Sequence, residues 1–394
     1  MDKKLKICFY TNSVFSFGGV QRVLAVIATE LSKNHDVTIL TMDDPLKADY
    51  SIYDLHKTSI HFEFIRYSSP TKWEWLPCKL YSFLYKIALK QTPKTTGWYE
   101  YSSFPYSQRK KLIQFINIHR FDIVIGVHAF LSFHLAAIKP RIKARIIGWM
   151  HNSFEAFFEN KDLYLWGQKK RFAYTMKKLD QLIVLSQCDQ KRYKNEMQLD
   201  TTVIYNPLTI SPQGKGSFAH KKFIAVGRLN YQHKGFDILI RAFHLFSQHN
   251  QDWSLNIIGE GPDRPFLQKL ISKFHLDQRI TISPFTKNIG EFYARSSIYI
   301  LSSRWEGLPL VLMESLSYGL PVISSELPIT KELLSECKAV RFFKSENYND
   351  LAKIMEEMTK CQTDYEYMSN NGSDYVNNFD LKIIFGQWIS IIDR

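Results

Sequence analysis

SIYILSSRWEGLPLVLMESLSYGLPVIS, residues 297–324, is the stretch whose reading decides the fold. Ser297–Leu301 is a short apolar run that reads as a buried strand. Ser302–Leu308 is a loop. Pro309–Tyr318 reads as a helix, and proline at a first helical position is pre-organised for the turn. Pro321–Ser324 reads as the next strand. Strand, loop, helix and strand in that order require a helical crossover between parallel strands.

The same alternation extends upstream: Lys222–Val226 strand, Gly235–Ser247 helix, Trp253–Ile258 strand, Pro262–Phe274 helix, Ile280–Ile282 strand and Ile289–Ala294 helix. Before it, Leu208–His220 is low in apolar residues and holds Ser211, Pro212, Gly214, Gly216 and Ser217, which reads as a linker. An earlier alternating series precedes the linker. It has strands at Lys6–Asn12, Asp36–Thr41, Ile60–Ile65, Phe121–Val127, Arg145–Met150 and Gln181–Leu185, with helices at Val20–Ser32 and Gln108–His119. From Tyr348 the tail reads as helices, and Phe379–Ile392 is expected to pack back onto the first domain. A chain of 394 residues is too long for one core and fits two such α/β domains facing across a cleft.

Composition narrows the classes. With 45% hydrophobic and 23% charged residues, nothing suggests extended disorder. No apolar run approaches the length that spans a bilayer. The start MDKKLKICFYTN lacks the long apolar stretch of a signal peptide, because Thr11, Asn12 and Ser13 interrupt it. Cys8, Cys78, Cys188, Cys337 and Cys361 form no CxxC pair, which fits a reducing compartment and offers no zinc spacing. Residues 1–200 carry 30 basic against 18 acidic side chains, a net +12, whereas the rest carries 21 against 20. A basic first half suits a membrane surface or a phosphate-bearing acceptor, or is simply solvated. No helix-turn-helix, zinc-finger or RNP-type signature points to nucleic acid. Lys72–Lys90 interleaves Trp73, Trp75, Tyr81, Phe83 and Tyr85 with lysines. It suits either a bilayer interface or an ordinary buried outer helix.

Four segments carry chemistry. Gly18–Gly19 follow the first strand and open a helix, where backbone can approach an anion, although a plain tight turn explains them as well. The spacing is not that of a dinucleotide fingerprint. Gly227–Arg228–Leu229 with Lys234–Gly235 follow the first strand of the second series. There two cations can hold a pyrophosphate, or be ordinary surface charges. Gly259–Glu260–Gly261–Pro262 reads as a turn opening a helix. Glu306 and Glu314 stand eight residues apart, one in a loop and one within an otherwise apolar helix. A carboxylate in such a helix must find a hydrogen-bond partner, which a sugar or ribose hydroxyl, or a salt bridge, can supply. The amides of Gly307, Leu308 and the helix start suit a phosphate. His128 and His151 end strands of the first domain, and each reads as a sugar contact or as a structural histidine.

These segments resemble the retaining glycosyltransferases of family 4, which have the GT-B fold of two Rossmann-like α/β/α domains. EGLPLVLMESLSYGLPVI with the E-x7-E pair, GRL…KG, GEGP and the early GG carry the resemblance across nearly the whole chain. It implies residues 1–212 as an acceptor-side domain, 213–375 as the nucleotide-sugar domain and 376–394 as the returning helix. It implies Arg228 and Lys234 as a pyrophosphate clamp and Glu314 as the ribose carboxylate. Glu306 with Gly307 and Leu308 would address the donor sugar and phosphates, and Gly18 and Gly19 the distal phosphate. His151, next to Asn152, matches the histidine that contacts the sugar near the reacting carbon. His128 has no firm counterpart.

The implied reaction is transfer with retention from a nucleoside-diphosphate sugar, commonly a UDP-sugar, to a glycan or lipid-linked glycan acceptor of bacterial surface polysaccharide synthesis. No cofactor or metal is expected, since no DxD triplet occurs and protein cations can stand in for the ion. The implied place is the cytoplasm, peripheral on the inner face of the plasma membrane, with an anionic membrane surface as a further partner and nucleic acid as none. An epimerase of related fold and a non-catalytic nucleotide-sugar binder are the competing readings. The epimerase would need no acceptor, and the binder would be expected to lack Arg228, Lys234 or Glu306.

Overall fold

Lys6–Thr11 forms β1, and every residue after Lys6 in it is buried, as expected of a strand covered on both faces. It is an inner strand of a parallel sheet with β2 (Asp36–Thr41), β3 (His61–Phe64), β4 (Ile123–Val127), β5 (Arg145–Trp149), β6 (Gln181–Val184) and β7 (Thr202–Val203). The order is β3-β2-β1-β4-β5-β6-β7, with Ile7 registered between Val37 and Ile123. This computed structural model describes residues 4–161 and 164–393. Its backbone divides into two units: Met1–Asn206 with Ile384–Arg394, and Pro207–Ile383.

In the first unit, one apolar cluster joins Cys8, Tyr10, Val124 and Ile146 to Leu112 and Ile116 of the helix Tyr106–His119. A second joins Met150, Leu182 and Val184 to Phe172 and Tyr193 from two later helices. The helix Leu381–Ile392 buries Ile384, Trp388 and Ile391. Its Trp388 ring lies 4.7 Å from that of Trp149, and Arg145 donates to the Ile391 carbonyl at 2.7 Å.

The second unit holds β8 (Lys222–Val226), β9 (Ser254–Ile258), β10 (Ile280–Ser283), β11 (Ile298–Leu301), β12 (Val322–Ser325) and β13 (Val340–Phe343). They form one parallel sheet in the order β10-β9-β8-β11-β12-β13. The anticipated strands lie within two residues of their expected limits. β13 was not anticipated, because four residues with an exposed Arg341 leave no readable apolar pattern. Pro309 caps the helix Leu310–Ser317 instead of starting it. The segment expected as a linker is irregular but laced down: the Gly216 amide reaches the Tyr318 carbonyl at 2.8 Å, and that of Ser217 reaches Ser296 at 3.1 Å.

In both sheets the strand order reverses once, between β1 and β4 and between β8 and β11. Loops leaving the carboxyl ends of two strands at such a point diverge to opposite faces and open a crevice, where ligands bind in doubly wound folds. Gly18–Gly19 leave β1 and His128 leaves β4. The segment 227–235 leaves β8 and 302–309 leaves β11. Topology thus gathers the chemistry-bearing segments of each unit.

Outside the first sheet, α2 (Lys72–Ile87) rests on α3 (Pro93–Ser103). Tyr85 is its only buried residue, so α2 is not the buried outer helix that was one reading of Lys72–Lys90.

Candidate nucleotide-sugar site

Lys234 and Glu306, from the β8 and β11 loops, form an ion pair at 2.6 Å. Ser303 donates to the same carboxylate oxygen at 2.6 Å. Glu306 is 8% exposed and Lys234 15%, so the pair is largely withdrawn from water. Burial alone would raise the Glu306 pKa. The charge of Lys234, the nearby His233 and hydrogen bonds from Lys234 and Ser303 outweigh it and hold the carboxyl below the ordinary glutamate range. An ionised Glu306 is an acceptor only, suited to gripping hydroxyls and unable to act as an acid.

The loops are bound to each other by more than this pair. Ser302 donates to the Lys234 carbonyl at 2.9 Å, and the Arg304 amide to that of His233 at 2.8 Å. Arg304 forks onto both carboxylate oxygens of Asp237 at 3.1 Å. Gly235 has φ +61°, and a Cβ there would stand 2.0 Å from the Ser302 carbonyl oxygen. The glycine of the KG pair is therefore required by loop-on-loop packing. Gly259, at φ +155°, meets the Gly227 carbonyl in the same way. The GEGP turn thus closes onto the GRL loop, and the Leu229 amide reaches the Glu260 carbonyl at 2.9 Å.

The two expected clamp cations are unequal. Lys234 is neutralised by Glu306, whereas Arg228 is exposed and makes no ion pair among the described residues. The amides of Gly307, Leu308 and Leu310, at the mouth of the helix Leu310–Ser317, meet no protein acceptor among the described residues. Amides so placed at a helix start suit an anion. Glu314, 2% exposed, accepts from the Tyr293 hydroxyl at 3.2 Å. A tyrosine supplies the partner that its apolar helix could not.

His233 was not anticipated. Its ring stacks on Trp305 at 4.9 Å, lies 2.9 Å from the Trp305 carbonyl and 3.9 Å from Glu306. Burial and the Lys234 charge lower its pKa. Its place beside the KG pair was readable, but its contacts come from a loop some seventy residues away. Tyr293 was missed because its partner stands 21 residues away on another helix, and Ser303 because only the turn of its own loop brings its hydroxyl onto Glu306.

In the first unit, the structure places His128 beside His151. His151 follows β5, is 6% exposed and packs its ring 4.3 Å from Trp149. Its Nε2 is buried without a protein partner among the described residues. Burial, with His128 nearby, pushes its pKa down to about 3, and burial takes His128 to about 4, so both rings are neutral near pH 7. His128 sits at φ +92°, rare for a residue with a Cβ, and its Nε2 lies 3.4 Å from the Asn152 amide nitrogen. That backbone outlier is the signal that singles out His128, and no sequence pattern displays it. Gly18 is extended at φ 175°, and its amide donates to the Tyr53 hydroxyl at 2.9 Å. Gly19 begins α1 (Gly19–Ser32). No group of three or more His, Cys, Asp or Glu among the described residues is placed to hold a metal ion.

The chain has a family 4, GT-B type glycosyltransferase fold. The family model "Glycosyltransferase Family 4" matches residues 17–211 and "Glycosyl transferases group 1" matches 213–375. An uncharacterized glycosyltransferase of Haemophilus influenzae is 25% identical over 312 residues, 77% of this chain and 87% of that protein. The amylovoran biosynthesis glycosyltransferase AmsD of Erwinia amylovora is 27% identical over 339 residues, 81% of this chain and 80% of its own. The crystal structure of Anabaena HepE in complex with UDP-glucose superposes with a TM-score of 0.72 at 16% identity, covering 98% of this chain and 99% of that one. These matches support nucleotide-sugar-dependent glycosyl transfer as the chain's activity.

Proposed function

We propose that the chain is a retaining hexosyltransferase. It moves a hexose-type sugar from a nucleoside-diphosphate sugar, with UDP as the favoured nucleotide, to a glycan or lipid-linked glycan acceptor in bacterial surface polysaccharide synthesis. The observation that carries this is the ionised Glu306 locked between Lys234 and Ser303 where the β8 and β11 loops meet. Such a group accepts sugar hydroxyls in a fixed direction and places a cation beside the phosphate they hang from. The AmsD name and the UDP-glucose of the HepE structure support the acceptor class and the donor.

We assign Arg228, Lys234 and the amides of Gly307 and Leu308 to the diphosphate, where negative charge grows as the bond to the anomeric carbon breaks. Glu314 is assigned to the ribose hydroxyls, Gly18 and Gly19 to the distal phosphate, and His151 to the donor sugar. A neutral His151 serves by hydrogen bonding and carries no charge of its own. The acceptor oxygen bonds to the anomeric carbon on the face the diphosphate leaves, and its proton passes to the departing diphosphate oxygen. No protein base is needed. The assigned place is the cytoplasm, at the inner face of the plasma membrane. Among the described residues, no helix is long and apolar enough to cross a membrane.

A thermal-shift screen of nucleotide sugars tests the donor, followed by anomeric NMR of the product with a glycan acceptor. A UDP-hexose should raise the melting temperature, and the product should keep the donor's anomeric configuration. Absence of any stabilising nucleotide sugar, or an inverted product, overturns the proposal.

A further inference from the structure

α2 packs on α3 by one face and leaves the opposite face uncovered. At about 100° per residue, Glu74, Cys78, Tyr81 and Tyr85 share the inner face. Tyr85 stacks on Tyr99 at 4.4 Å and shares a hydrogen bond with Thr96 at 2.8 Å. Tyr81 donates to the Thr95 carbonyl at 2.9 Å. α3 is pinned in turn by Glu100, whose buried carboxylate is gripped by Arg171 through two bonds of 2.6 and 3.0 Å. α2 is therefore held rigidly.

Trp73, Leu76, Leu80, Phe83 and Ile87 recur at three- and four-residue spacing on the opposite face. Trp73 is 90% exposed and the other four between 59% and 64%. A soluble surface does not ordinarily present five large apolar side chains in one stripe. Lys72, Lys79 and Lys86 stand two turns apart along one flank, and Lys90 follows. The only acidic residue from 72 to 90, Glu74, is on the inner face and accepts from Ser107. Alongside lies a groove of about 450 Å³ lined by Lys79, Ser82, Lys86 and Ser102, chemistry that receives a phosphate.

We propose that α2 is a membrane-docking helix that lies in the interface of an anionic bilayer, its apolar stripe among the acyl chains and its lysine flank on the headgroups. An apolar stripe bordered by cations alone matches an anionic lipid surface, whereas a protein partner of ordinary composition would bring both signs. The surface would bring a lipid-linked acceptor to the enzyme, but the docking does not depend on that reading.

The test is co-sedimentation of the full chain with vesicles of equal parts phosphatidylcholine and phosphatidylglycerol at low salt. The native chain should sediment, less so at high salt and less with phosphatidylcholine alone. L76S/F83S/I87S should remain in the supernatant. K79E/K86E should lower partitioning at least about 25-fold, about fivefold for each lysine lost. All five positions are exposed, so melting temperature and its shift by a UDP-sugar should stay native. That separates failure of docking from failure of the donor site. A native chain left in the supernatant, or variants that sediment equally, overturns the proposal. So does dimerisation abolished by the same substitutions in a chain that ignores vesicles, which would assign the stripe to a second copy.

Discussion

Replacing Lys234 by Met separates what the Lys234–Glu306 pair does for folding from what it does for the reaction. Met keeps the length of the side chain and removes its charge. Glu306, 8% exposed, then loses its cation and keeps Ser303 as a hydrogen-bond donor. Removing one partner of a buried ion pair costs about 3–5 kcal/mol. The remaining Ser303 bond and the 15% exposure of Lys234 place this case at the lower end, about 3 kcal/mol. In a unit of this size, 1 kcal/mol shifts the melting temperature by about 2–4 °C, so Lys234→Met should melt about 6–12 °C lower. The double variant K234M/E306L leaves no buried charge, and apolar replacement of a whole pair is close to neutral. It should recover most of that loss, short by about 1 kcal/mol for the stranded Ser303 hydroxyl.

Activity should not recover. Both variants should lose at least about 100-fold in nucleoside-diphosphate release with acceptor present. The assays are calorimetric melting and coupled detection of the released nucleotide. A native melting temperature in Lys234→Met would refute the pair. A double variant no more stable than the single would refute the coupling, and one that turns over at a native rate would remove these residues from the site.

His151 is buried and His128 and His134 are partly buried, and desolvation pushes their pKa values from 6.5 to about 3, 4 and 4, so all three are neutral near pH 7. The unfolded chain takes up these protons below pH 6.5 and the folded one does not. Stability should therefore fall as pH drops from 6.5 towards 4, by about 2 kcal/mol per histidine at pH 5. Urea midpoints equal at pH 7 and pH 5 would contradict their burial. Gly235→Ala forces a Cβ against the Ser302 carbonyl at positive φ and should cost at least about 2 kcal/mol, lowering the melting temperature. A native melt would show that the two loops part easily. Glu314→Gln keeps an acceptor for Tyr293 and should leave stability within about 1 kcal/mol while raising KM for the donor about tenfold. An unchanged KM would take Glu314 off the ribose.

The alternation of apolar runs was enough to place two parallel α/β series, because buried strands and amphipathic helices imprint their periods on neighbouring residues. It missed β13, where four residues with an outward Arg341 leave too little period to read. The glutamates, the KG pair and the GEGP turn were visible as spacings. What each one touches was not. Nothing in the spacing says that Lys234 is spent on Glu306, that Gly235 serves a backbone contact, or that Tyr293 answers Glu314. The first two arise where strands distant in sequence become neighbours, at the reversal between β8 and β11, and the third where the helices before and after β11 meet. The same holds for His128, whose φ of +92° is imposed by packing at the end of β4, and for α2, whose lysines and aromatics suited two environments until its inner face was seen against α3. Local sequence determined which elements form, because their energetics are set within a few turns. Tertiary structure decided which charges cancel and which faces stay open, because pairing and burial depend on what arrives from elsewhere in the chain.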